Sequence, residues 1–151
     1  CKLVRRIQQA NPNLRLLLTI SPVRHIKDGF IENQQSKAAL ILAAKALCDD
    51  FPEVISYFPT YEIVMDELRD YRFYAEDMVH PNDIAVKYIW ERFVGTYFND
   101  GQINILKEAE AILRMKKHKL LFPGSESGLK FEEQKQKAIV DFVSKHPYFR
   151  I

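Results

Sequence analysis

The sequence predicts an α/β fold built on parallel strands, and three observations carry that prediction. Residues 14–20 and 54–58 are short apolar runs, each closed by a proline within two residues. A helical pattern lies between them, so strand, helix and strand follow in the order of a right-handed βαβ crossover, which implies a parallel pair. The remaining strong patterns, all after residue 60, have the 3.6-residue period of amphipathic helices.

Taken in order, Leu3, Val4 and Ile7 share one helical face, and Asn11-Pro12-Asn13 ends that helix because the residue before proline avoids helical geometry. Leu14 to Ile20 is nearly continuous in apolar character, as a strand covered on both faces by helices would be. Residues 23–35, with Gly29 and several polar side chains, read as a loop. Ser36 then caps a helix that buries Leu40, Ala43, Ala44 and Leu47 and ends near Asp49-Asp50. Val54 to Phe58 is β-branched and aromatic and stops at Pro59. A short helix is expected from Pro59 or Thr60 to Leu68, then an irregular stretch over residues 69–81. A strong helix follows over residues 82–98, with Ile84, Ala85, Tyr88, Ile89, Phe93, Val94 and Tyr97 inward. Asn99-Asp100-Gly101 is read as its C-terminal stop. Ile105, Leu106, Ala109, Ile112 and Leu113 mark the next helix, residues 122–128 a loop, and Phe131, Ala138, Ile139, Phe142 and Val143 the last helix.

Two strands are few for a parallel sheet, whose edges and faces need cover. The expectation is therefore that further strands precede Cys1, consistent with a chain that opens in the middle of a helical pattern and not on Met. Residues 1–98 are read as the C-terminal part of one domain and residues 99–151 as its helical extension.

Twenty-two Lys plus Arg against 20 Asp plus Glu leave a formal charge of +2, too close to balance for a nucleic-acid or anionic-membrane surface. The densest basic run, Lys116-Lys117-His118-Lys119, suits a solvated helix C-terminus. Cys1 and Cys48 are far apart and read as reduced thiols, which favours a cytoplasmic setting. No apolar run approaches the roughly 20 residues of a membrane span. Neither a metal nor a cofactor is expected, since Asp49, Asp50, Asp66, Glu67 and Asp70 lack ligand spacing and no glycine-rich phosphate loop occurs.

The segment richest in chemistry is Tyr71 to Pro81, where Asp77 stands three residues before His80 in a loop that precedes a long helix. A carboxylate near an imidazole can accept its Nδ1–H, select the tautomer and leave Nε2 free to take a proton. A turn-capping Asp77 with a structural His80 is the plainer alternative. Arg24 and His25, just after the first strand, could bind an acyl oxyanion or an acidic substrate group; a loop histidine hydrogen-bonded for structure is the plainer alternative. Tyr71, Phe73 and Tyr74 beside Arg69 and Arg72 suit either a recognition surface or ordinary loop packing.

Thr19-Ile20-Ser21-Pro22 followed by Asp77-Met78-Val79-His80-Pro81-Asn82 resembles the second half of SGNH/GDSL hydrolases. More narrowly, Ser21-Pro22-Val23-Arg24-His25, Asp28-Gly29, Asn33, Ser36-Lys37, residues 57–62 and residues 66–74 resemble the GSCFA family, a bacterial branch of that superfamily. The resemblance is close over residues 12–98 and looser over residues 118–131. It implies a flavodoxin-like three-layer α/β/α sandwich, and a Ser–Asp–His mechanism in which Asp77 orients His80, the general base and then acid. It also implies a nucleophile in a Gly-Ser-Cys-Phe-Ala motif near the family's N-terminus. None of Ser21, Ser36, Ser56, Ser125, Ser127 and Ser144 sits in such a motif. The expected function is hydrolysis of a small-molecule or glycan ester by the intact protein, with this chain inactive alone. The alternative is a non-catalytic glycan- or protein-binding module on the same scaffold.

Overall fold

The computed structural model describes residues 1–150. They form a mixed α/β structure, mostly helical, with two parallel strands. Two compact units divide the chain, Cys1–Phe93 and Val94–Ile151, the boundary falling inside one helix. No helix among the described residues is long and apolar enough to cross a membrane.

In the first unit, helix α1 (Lys2–Ala10) ends where Asn11 turns extended and its N–H bonds the Ile7 carbonyl at 2.8 Å. Strands β1 (Leu16–Thr19) and β2 (Ile55–Phe58) pair in parallel, with Leu16 opposite Ile55 and Thr19 opposite Phe58. Helix α2 (Phe30–Asp50) connects them. Buried Val4, Val54 and Ile55 pack with Leu16, Leu18, Leu47 and Cys48, so α1, α2 and the sheet share one small core.

Helix α2 corrects two expectations. It starts six residues before Ser36, at Phe30, with Gly29 at φ 85° before it, a conformation that favours glycine. Its buried positions are Asn33, Lys37 and Ala44, whereas Leu40 is 49% exposed and Ala43 is also exposed. Two inward polar residues had hidden the helical period. Both are hydrogen-bonded, which makes their burial tolerable.

After β2 comes α3 (Thr60–Glu62), which widens into a π-helical turn over Ile63–Glu67. Helix α4 (Asp83–Tyr97) then packs Ala85, fully buried, against Phe58, Ile63, Val64 and Leu68. Phe58 and Phe93 meet edge-on at 5.3 Å, a favoured aromatic arrangement. The inward face of α4 is narrower than the sequence period suggests, since Ile84 is 65% exposed and Tyr97 is also exposed. Among the described residues β1 has no second strand partner, and Leu17, Thr19, Phe58, Val86, Trp90 and Phe93 line an apolar groove of about 290 Å³.

In the second unit, helices α5 (Asp100–Lys117) and α6 (Glu126–Lys145) bury Ala109, Ile112 and Phe142. Asn99 is not a simple stop. It begins α5 through a capping box, accepting from the Gln102 N–H at 3.0 Å while its own N–H donates to Gln102 Oε1 at 3.0 Å. The expected loop over residues 122–128 is shorter, because Ser125 accepts from the Gly128 N–H at 3.1 Å and starts α6. Gly128 is required there: a Cβ would lie 2.6 Å from the Phe122 carbonyl oxygen.

Candidate active site

The loop before α4 is held at both ends. Asp70 caps the turn Tyr71–Phe73 by accepting from the Arg72 N–H at 2.8 Å, and Phe73 and Tyr74 pack on the core below. Tyr74 pairs with Pro81 in an antiparallel bridge, and the Asn82 N–H donates to the Phe73 carbonyl at 2.9 Å. Asn82 then caps α4. Its Oδ1 accepts from the N–H groups of Ile84 and Ala85, both at 3.1 Å, while its Nδ2 donates to the Arg72 carbonyl at 2.6 Å. One side chain thus fastens the loop to the helix.

Within that clamp, residues 75–80 close on themselves. The Ala75 N–H donates to the His80 carbonyl at 2.7 Å and the Met78 N–H to the Ala75 carbonyl at 3.0 Å. Met78 is left-handed, φ 59°, the one non-glycine residue at positive φ among those described, a state costing roughly 1–2 kcal/mol. Buried Val79 anchors the tip. The three-residue spacing now has a physical reason. Asp77 Oδ1 accepts from the N–H groups of Val79 (2.9 Å) and His80 (3.0 Å), and this turn brings Oδ2 to 2.6 Å from His80 Nδ1.

The electrostatics follow from those bonds. The His80 backbone N–H, then the His80 ring, then the Val79 N–H, hold the Asp77 carboxyl down to about 2. Both side chains are half or more exposed, so desolvation opposes this little. Asp77 is therefore ionised at any ordinary pH and accepts the Nδ1 proton. His80 Nε2 has no hydrogen-bond partner among the described residues. A neutral His80 held in this way presents a basic Nε2 lone pair, which can take and return a proton.

Arg24 and His25 follow the carboxyl end of β1, where Thr19 and Thr60 share a hydroxyl–hydroxyl bond of 2.6 Å. The two buried polar residues of α2 hold this loop: Lys37 Nζ donates to the Ser21 carbonyl at 2.6 Å, and Asn33 Oδ1 accepts the His25 N–H at 2.9 Å. Burial pushes the Lys37 ammonium below its ordinary pKa. Arg24, His25, Asn33, Asp77, Met78 and Val79 line one cleft of about 460 Å³. The structure thus brings three of the four expected site residues to one cavity, while the His80 ring is outside its lining. The His25 ring turns to its own loop, 3.7 Å from Asp28. No serine lines this cleft. Asn33, Lys37 and Asn82 occur in the motifs quoted above, but their pinning roles become visible only in three dimensions.

The aromatic–basic stretch divides. Phe73 and Tyr74 serve the core, and Arg72 sits 4.9 Å over the Phe73 ring. Among the acidic residues, Glu67 is bonded to Tyr88 and Arg92, and Asp49 to Lys45. Among the described residues no group of three His, Cys, Asp or Glu converges as a metal site would need.

The GSCFA family matches residues 1–93, which take in both strands, the cleft and the Asp77–His80 pair. No curated protein and no solved structure gives a significant match. Membership suggests a hydrolase-like protein. With the match spanning more than half of the sequence and agreeing with its motifs, the chain belongs to the GSCFA family.

Proposed function

We propose that this chain carries the Asp–His half of a serine-dependent ester hydrolase of the SGNH type, acting on a small-molecule or glycan ester. The observation that carries the reading is the 2.6 Å Asp77–His80 bond, with Nε2 left without a partner. In the proposed reaction His80 Nε2 takes the proton of a serine hydroxyl as its oxygen attacks the ester carbonyl carbon. It returns that proton to the departing alkoxide, leaving an acyl-serine. Water, deprotonated by the same Nε2, then attacks the acyl carbon, and the acid departs as Nε2 gives that proton to the leaving serine oxygen. Asp77 stays ionised throughout and stabilises the imidazolium formed in each half-reaction.

The serine belongs, on this reading, to the family's Gly-Ser-Cys-Phe-Ala motif, which residues 1–151 do not contain. The parallel pair, the crossover helix and the apolar groove beside β1 support a three-layer sandwich as the architecture of the intact protein. Residues 99–151 are its helical extension. A second reading is a binding module that keeps the scaffold and the cleft without the chemistry.

The test is hydrolysis of p-nitrophenyl butyrate. Residues 1–151 alone should be no faster than free imidazole. The intact protein should turn over through an acyl-enzyme, and His80→Ala should lower kcat by about 10³-fold or more. Near-normal turnover in that variant would make the pair structural and bring the binding module to the front.

A further inference from the structure

Arg24 lines three clefts at once, of about 460, 240 and 200 Å³, and is half-buried. Its guanidinium has no hydrogen-bond or carboxylate partner among the described residues. Its one recorded neighbour interaction is the Tyr74 ring, 6.0 Å away. A fully buried cation is ordinarily paired, and Arg24, only partly buried, has no such partner among the described residues. Arg69, also without an ion-pair partner among the described residues, lines the 240 Å³ cleft with Arg24, beside Leu68, Tyr71 and Tyr74. The one carboxylate on that cleft, Asp70, is already engaged, accepting the Arg72 N–H at 2.8 Å with Arg72 Nε 3.9 Å away. The cleft therefore carries two cations against one occupied anion.

The backbone under Arg24 is also fixed. The Lys37 bond to the Ser21 carbonyl and the Asn33 bond to the His25 N–H bracket it on both sides. These are the two buried polar side chains among the described residues, and both serve this one loop. Holding the backbone lowers the entropy lost when the guanidinium engages a ligand. A planar fork with two parallel N–H donors matches a carboxylate or phosphate edge.

We propose that Arg24, with Arg69 on the same cleft, is the recognition point for an oxyanion group on the substrate, a carboxylate or a phosphate, so that the ester taken is an anionic one. The word substrate rests on the hydrolase reading; the anion site rests on the geometry of Arg24 and Arg69. Arg24 and Asp77 both line the 460 Å³ cleft, so the recognised group is held near the Asp77–His80 turn.

The test titrates the 151-residue chain at low salt with glutarate, with inorganic phosphate, and with glutaramide as the uncharged analogue. NMR follows the Arg24 side-chain N–H and the amides of residues 21–25. Saturable binding of an anion, and none of glutaramide, is expected. Arg24→Gln should weaken it about tenfold or more, and Arg24→Lys, which keeps charge but loses the fork, by less. Arg69→Gln, at an exposed position, is the second variant should either change at Arg24 disturb the fold, and it should weaken binding several-fold. Glutarate alone identifies a carboxylate, phosphate alone a phosphate, and both together the shared chemistry. Equal binding of glutaramide, failure of both anions to bind, or undiminished binding in the folded variants overturns the proposal. The same samples report the His80 tautomer. Anion binding beside a wrong tautomer sinks the hydrolase reading and keeps the site, whereas a correct tautomer without anion binding sinks the site alone.

Discussion

Replacing Asn82 separates the two jobs assigned to one side chain. Its Oδ1 caps α4 by accepting from Ile84 and Ala85, and its Nδ2 donates to the Arg72 carbonyl at 2.6 Å, with the Tyr74 carbonyl farther off at 3.4 Å. Loss of an asparagine cap costs about 1 kcal/mol. Loss of one short side-chain to backbone bond costs about 1 kcal/mol more, and the 3.4 Å contact adds little. Asn82→Ala should therefore destabilise by about 2 kcal/mol. Asn82→Asp keeps an acceptor at the helix N-terminus, where a carboxylate is favoured, but loses the donor, so it should cost about 1 kcal/mol. Urea unfolding at neutral pH, followed by far-ultraviolet circular dichroism and by His80 ring resonances, measures both. The His80 signals should broaden or shift in both variants, because the register from Arg72 to the helix is what closes the dyad loop. Equal losses in the two variants, or losses below about 0.5 kcal/mol in both, would refute the two-job account.

Two further outcomes follow from the same loop. Met78→Gly relieves left-handed backbone strain at a half-exposed side chain. Against the greater freedom glycine has when unfolded it should still raise stability by about 0.5 kcal/mol, read from the urea midpoint; a clear loss would show that the Met78 side chain packs in earnest. The Asp77 carboxyl should titrate near 2, where a free aspartate titrates near 3.8, by carbon-detected NMR. Because its folded value is depressed, the stability it contributes is fully present above about pH 5. That contribution is lost as the pH falls from there toward 2. Titration at the ordinary value would mean that the backbone N–H bonds to Oδ1 are not made.

The elements with an unbroken apolar signal were legible in the sequence. Both strands, α1 and α4 lie where the patterns put them, within two or three residues at the ends. The start of α2 was not, because Asn33 and Lys37 occupy inward positions that a hydrophobic period reads as outward. Asn99-Asp100-Gly101 and Ser125 look like breaks in the sequence because the same residue types that stop one helix also cap the next. At the site, Asp77 and His80 stood out by spacing. The bonds that make that spacing work come from the backbone of Val79 and His80, which no side-chain pattern encodes. Arg24 and His25 reach the same cleft as Asp77 from more than 50 residues away, a proximity set by the crossover and the packing of residues 71–82.

Asp77 holds His80 with its proton on Nδ1 and its lone pair on Nε2. Long-range proton–nitrogen correlation on the 151-residue chain, taken at a pH where His80 is neutral, reads the tautomer directly. The wild type should show the Nδ1–H form, and Asp77→Ala should lose it. An Nε2–H form in the wild type, or a tautomer indifferent to that substitution, would contradict that arrangement.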